Sequence, residues 1–213
     1  MKHQSLLLCF AWLLLCFSYK DEDWVLKKDK DGIRVFTRKT PNSKFDELKV
    51  ESEMEGRLSA IAAVLLDINN HCKWAYKTIK SHVIKSSDST DIFFYTEIEC
   101  PWPFENRDVV VHMNLMQNVG NKMMTVVAQS VNGYMPEKDN KVRMKYSRVT
   151  WMITPVDGHL KINYTVQVDP GGAIPAWLLN TFASKGPFES FIQLRKEIKL
   201  PQYANAKFLF IKD

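Results

Sequence analysis

The chain lacks the short signatures that mark the common enzyme classes. There is no G-x-S-x-G elbow for a nucleophilic serine, no H-E-x-x-H, no P-loop and no G-x-G-x-x-G dinucleotide loop. His3, His71, His82, His112 and His159 show no metal-ligand spacing, and His71-Cys72 with the distant Cys100 is too sparse for zinc. No cofactor or metal is therefore expected. Lys and Arg are spread along the chain rather than blocked, which argues against a nucleic-acid track and leaves weak attraction to anionic membranes. Repeats, low-complexity tracts and interdomain linkers are missing as well. With 213 residues, 46% of them hydrophobic, one domain with an ample core is the simplest reading.

The apolar run at the start of the chain is short. In MKHQSLLLCFAWLLLCFSYKDE it extends from Leu6 to Phe17, twelve residues, too few to span a bilayer as a helix. Preceded by Lys2 and His3 and followed by an abruptly charged segment, it matches the core of a secretory signal. Cys16 and Ser18 are small enough for a cut after Ser18. Residues 1–18 are thus expected to be a signal peptide and 19–213 a single exported domain, periplasmic or secreted. The alternative is a membrane anchor that stays uncleaved. Cleavage would take the formal charge only from +5 to +4, Lys2 being the one Lys or Arg lost. Cysteine is scarce: of four, Cys9 and Cys16 leave with the leader. Cys72 and Cys100 remain, to pair in an oxidising compartment or otherwise to act as small buried hydrophobes.

What is present reads as strands, turns and two helices. Asp31-Gly32 divides Trp24–Lys28 from Ile33–Arg38, and a third strand covers Phe45–Met54. Leu58–Ile68 has few polar residues and predicts a mostly buried helix. Three hairpins follow: 79–85 with 92–100, 109–117 with 123–131, and 142–155 with 160–168. In the last strand Leu160, Ile162, Tyr164, Val166 and Val168 alternate with polar residues, so one side is buried. Beyond the Asp169-Pro170-Gly171-Gly172 turn, Ile174, Trp177, Leu178, Phe182, Phe188, Phe191, Ile192 and Ile198 recur at helical spacing. Gly186-Pro187 predicts a kink or short break there. Antiparallel hairpins closed by a long helix make an α+β fold.

One strand carries an unusual pattern. Arg107, Val109, Val111, Met113 and Leu115 share a face, against Asp108, Val110, His112, Asn114 and Met116. If the first set faces inward, Arg107 enters with it. A guanidinium does not shed its proton, so burial requires a carboxylate, several carbonyls, water or an anionic ligand. Glu97 and Glu99 on the preceding strand are the obvious acids. Just before, Cys100-Pro-Trp-Pro-Phe-Glu-Asn106 displays Trp102 and Phe104 on a proline-stiffened loop, suited to a membrane or a lid. Asp108 and His112, four apart, are one conceivable acid–base pair, on the face read as outer.

At these residues a family resemblance emerges. PWPFENRDVV (Pro101–Val110) resembles the proline-aromatic-proline, Asn-Arg-Asp motif of START lipid-transfer domains, in particular the phosphatidylcholine-transfer-like branch. DPGGAIPAWLLNTFASKGPFESFIQLRK (Asp169–Lys196) resembles that branch's lid helix. The resemblance implies a helix-grip fold: a curved antiparallel sheet wrapped around the long C-terminal helix, enclosing a tunnel that holds one lipid. It implies lipid-binding roles for Arg107, Val109, Val111, Met113, Trp177 and Phe182, and ion-pair roles among Glu97, Glu99 and Asp108. Trp102, Phe104, Trp177 and Leu178 become gate or membrane-contact candidates.

The function expected is non-enzymatic binding, and transfer or sensing, of a lipid by a protein that is monomeric and touches membranes transiently. A cyclase- or hydrolase-type enzyme in the same cavity is the alternative by fold analogy. A binding module whose cavity is filled by its own side chains is the third reading.

Overall fold

The computed structural model describes residues 24–41 and 43–213, apart from the side chains of Ala176, Trp177, Asn180 and Ser184. The expected leader, residues 1–18, lies outside the described residues. Among the described residues ten strands form one sheet: β1 (Val25–Lys30), β2 (Ile33–Arg38), β3 (Glu47–Glu55), β4 (Thr78–Asp88), β5 (Asp91–Ile98), β6 (Asn106–Gln117), β7 (Met124–Ser130), β8 (Lys141–Arg143), β9 (Tyr146–Val156) and β10 (His159–Asp169). Their order across the sheet is β1-β2-β3-β10-β9-β7-β6-β5-β4, antiparallel throughout. The short β8 stands apart, pairing in parallel with the start of β6.

Local chemistry sets the turns. Asp31-Gly32 and Asp157-Gly158 both take positive φ at each residue, the backbone of a two-residue hairpin turn whose twist matches its strands. At the β4–β5 turn the Asp88 carboxylate accepts from Thr90 N at 2.7 Å and Asp91 N at 2.9 Å, replacing lost ladder bonds.

Helix α1 (Leu58–Leu66) ends two residues short of the expected Ile68, and a 3₁₀ turn, Ile68–Lys73, follows. Its first turn has no capping side chain of its own. The far end of the chain supplies one: Asp213 Oδ1 accepts from Ser59 N at 2.7 Å, and Asp213 Oδ2 meets Arg57 Nη1 at 2.8 Å.

Helix α2 (Ala176–Glu197) lies in the curve of the sheet and is followed by the single turn α3 (Pro201–Ala204). Of the kink or short break expected at Gly186-Pro187, the break is not present: the helix continues through Pro187. Tyr76 packs and hydrogen-bonds against the helix at this point. A Cβ on Gly186 would meet the Tyr76 ring at 3.2 Å, so a larger residue would have to push the ring back by a few tenths of an ångström. Next to it Ser190 Oγ donates to Gly186 O at 3.0 Å and accepts from Tyr76 N at 2.9 Å. Farther on, Arg195 Nη2 donates to Gly32 O at 3.1 Å and Glu53 O at 2.9 Å, pinning the helix to the β1–β2 turn.

The two halves of α2 pack differently. Phe188, Phe191, Leu194 and Ile198 are buried against the sheet. Leu179, Phe182 and Ala183, in the first half, are only partly covered and face an internal space. The site lies beneath this half.

The third hairpin also departs from expectation. Instead of one strand from Val142, the chain makes β8, leaves the ladder at Met144 and Lys145, and resumes as β9. Arg143, the last residue of β8, turns its side chain to Asp108.

Candidate functional site

The space between α2 and the sheet is a cavity of about 530 Å³, of a size usual for small-molecule sites. Alternation along the strands builds its walls. From β6 come Arg107, Val109, Val111 and Met113; from β5 Phe94, Thr96 and Ile98; from β10 Tyr164, Val166 and Val168. The inward face read for β6 is therefore the cavity face. Phe182 of α2 also lines it, while the side chain of Trp177 lies outside the described residues. Leu178 is 2% exposed, so it is a packing residue here and not a membrane-facing one; Leu179 beside it lines the cavity.

Arg107 is 4% exposed, yet neither expected acid reaches it. Its Nη1 donates to Glu105 O, Nε to Pro170 O at 3.4 Å and Nη2 to Gly171 O at 3.3 Å. The guanidinium is solvated by carbonyls, two of them from the loop leading into α2. The register explains the miss. Ile98 stands opposite Arg107, and Glu97 stands opposite Asp108, so Glu97 is on the other face of the sheet. There Glu97 accepts from Lys141 Nζ at 2.7 Å and Asn106 Nδ2 at 3.1 Å. Glu99 pairs with exposed Lys77.

Asp108 forms the buried ion pair, with an unforeseen partner. Arg143 Nε lies 2.8 Å from Oδ1 and Nη2 lies 3.1 Å from Oδ2, with side-chain exposures of 5% and 0%. Burial alone would raise the Asp108 carboxyl, but the hydrogen bonds and charge of Arg143 outweigh it and hold the carboxyl below its ordinary value. The face read as outer is thus sealed here. The 131–144 segment folds over it, with Val131 N donating to Val110 O at 2.9 Å and Met144 N to Asp108 O at 2.9 Å. Asp108 and His112 do not pair: His112 Nε2 is 3.0 Å from Asp91 Oδ1, and its ring stacks on Phe93 at 4.1 Å.

The inner part of the cavity is aromatic. His71–Phe94 (5.7 Å), His71–Trp74 (5.2 Å), Trp74–Trp151 (6.2 Å), Trp151–Tyr164 (4.5 Å) and Trp151–Phe191 (5.5 Å) form a continuous group. Sequence reasoning left most of these unassigned. The inward alternation of β10 contained a signal for Tyr164, whereas His71 and Trp74 sit in an irregular segment with no period to read. Burial lowers the His71 pKa, its largest cause, so the ring is neutral near pH 7.

At the edge of the cavity the 101–104 loop presents Trp102, 92% exposed, beside a cis Trp102–Pro103 bond, while Phe104 is half-buried. Cys72 is exposed and Cys100 buried, and both are free thiols.

Comparison with known proteins places this geometry in a family. The START domain profile matches residues 12–201. An uncharacterized protein of Pseudomonas aeruginosa is 29% identical over 82% of this chain and 86% of its own. The phosphatidylcholine transfer protein of Rattus norvegicus is 29% identical over 80% of this chain and 81% of its own. A STAR-related lipid transfer protein from Xanthomonas axonopodis superposes with a TM-score of 0.76 at 30% identity, covering 83% of this chain and 98% of that structure. The curved antiparallel sheet, the C-terminal helix laid across it and these matches agree: this chain belongs to the START domain family and has its helix-grip fold.

Proposed function

We propose that the protein binds a lipid or similar hydrophobic ligand in the cavity and transfers it between membranes without converting it chemically. The observation that carries this is the apolar space left between the sheet and the first half of α2, walled by Val109, Val111, Met113, Val166 and Phe182. Each methylene moved from water into such a space contributes about 0.8 kcal/mol. The lipid-transfer names of the rat and Xanthomonas relatives support the same reading.

The first half of α2 and the 101–104 loop act as the gate, and Trp102 is the residue that meets the membrane. Arg107 ties the gate shut through Pro170 and Gly171. The protein works as a monomer, exported under its N-terminal signal. The enzyme alternative draws no support from Asp108 and His112, which the fold commits to Arg143 and Asp91.

Native mass spectrometry of gently purified protein, paired with a vesicle-to-vesicle transfer assay, tests the reading. A co-purifying lipid and transfer that scales with protein concentration are expected. An empty protein that neither takes up nor transfers any lipid would overturn it.

A further inference from the structure

Away from the cavity, one turn displays apolar residues where polar ones are usual. Ile211 N donates to Phe208 O at 3.3 Å, closing a four-residue turn whose central positions are Leu209 and Phe210. Such positions favour Gly, Pro, Asn, Asp and Ser. Leu209 is fully exposed, and Phe210 is exposed as well, its ring leaning on Phe208 at 5.0 Å. A single surface leucine is ordinary, but this one has a second exposed apolar residue beside it on a turn held from both sides. Before the turn, Arg57 Nη2 donates to Ala204 O at 2.6 Å and to Ala206 O at 3.1 Å. After it, Lys212 N donates to Gln117 Oε1 and Gln117 Nε2 to Lys212 O, each at 2.8 Å. The tip is preorganised, so it has little freedom left to lose on docking.

The surroundings of this tip are basic. Residues 205–213 and the adjoining β6–β7 turn, 118–123, carry Lys122, Lys207 and Lys212 against the single acid Asp213. That acid is already engaged: its carboxylate accepts from Ser59 N at 2.7 Å and pairs with Arg57 at 2.8 Å. Lys122 Nζ donates to Asp213 O at 2.6 Å, which places its turn, with exposed Val119, against the same segment. Lys207 and Lys212 are exposed. The tip stands at the opposite end of β6 from the gate. The 101–104 loop leads into Asn106, where β6 begins, and Gln117 ends the strand about 36 Å farther on.

We propose that the Phe208–Ile211 turn is a second membrane-docking site, which inserts Leu209 and Phe210 into an anionic bilayer with Lys207, Lys212 and Lys122 at the level of the lipid phosphates. An apolar pair flanked by cations, with no free carboxylate on either turn, matches a surface whose interior is hydrocarbon and whose boundary is negative. With the gate at the other end of the sheet, one molecule holds two membranes at once. This bridging rests on the Trp102 contact proposed above, whereas the docking itself stands whether or not the cavity carries a lipid.

Flotation of the full chain with vesicles of phosphatidylcholine, alone or mixed with phosphatidylglycerol, tests it in a Trp102→Ala background that removes the gate contact. This parent is expected to float with the anionic vesicles and not with the neutral ones. Adding Leu209→Ser should cut the association about tenfold, and adding Lys207→Gln about fivefold, the second effect shrinking in high salt. Leu209 supports no core packing, so its variant should keep the parent's melting temperature. In otherwise wild-type protein, clustering of anionic vesicles should be lost in Leu209→Ser and in Trp102→Ala alike, and clustering that survives either change overturns the bridging. Flotation that Leu209→Ser leaves unchanged, or a parent that floats with neither vesicle or equally with both, overturns the docking site. So does a wild-type oligomer that Leu209→Ser dissolves, because a second copy then covers the turn.

Discussion

Arg143 grips Asp108 at two points, 2.8 and 3.1 Å, directly across β6 from the cavity face that carries Arg107. Neighbouring residues of one strand thus bury opposite charges on opposite sides of the sheet, each satisfied separately. The Arg-Asp dipeptide is two devices: a loop tie inside and a flap clamp outside.

Removing the acid from the clamp should be severe. Asp108→Ala leaves the Arg143 guanidinium buried with only the carbonyls of Met135 and Pro136, and a loss of about 3–5 kcal/mol in denaturant unfolding is expected. The double variant Asp108→Leu with Arg143→Met should recover most of it. A double variant no more stable than the single one would show that the pair is not the cause.

Arg107→Leu should act on the gate. Losing the bonds to Pro170 and Gly171 is expected to speed amide exchange in residues 169–173 and to cost about 2 kcal/mol in stability. Unchanged exchange there, with selective loss of phosphate-bearing ligands, would assign Arg107 to the ligand and not to the loop.

The buried histidine gives a pH dependence with a definite sign. The folded protein lowers the His71 pKa below 6.5, so the unfolded chain takes up the proton first. Stability from this group is therefore complete above pH 6.5 and falls as pH drops below it. His82 is lowered too and acts in the same direction. His71→Gln should flatten the decline between pH 6.5 and 5 in thermal melts; an identical decline in the variant would place its origin elsewhere.

Trp102 exposes nearly its whole ring and supports no core packing. Trp102→Ala should leave the melting temperature unchanged while reducing vesicle association and slowing transfer. A variant as fast as wild type would remove the loop from the membrane contact.

Much of this was legible along the chain because strand side chains alternate with period two. The inward set of β6, the buried side of β10 and both Asp-Gly turns followed from that rule and from turn chemistry. What failed was pairing. Alternation tells which face a residue is on but not which distant segment covers that face. Glu97 was near Arg107 in sequence, yet the β5–β6 register turned it away, and Arg143 arrived from 35 residues downstream. A full break of the helix, one of the two outcomes expected at Gly186-Pro187, did not occur: the penalty at Pro187 is local, while the contacts Tyr76 makes with this part of the helix are tertiary.

The α+β class, the strand faces and membership of a recognisable family were readable from the order of residues alone, since these depend on periodicity and on short motifs. That Arg107 is held by backbone carbonyls, and that the β5–β6 register turns Glu97 away from it, depends on the assembled fold. A cavity exists where the curvature of the sheet exceeds what its side chains and one helix can fill, and that balance is a property of the assembled elements together.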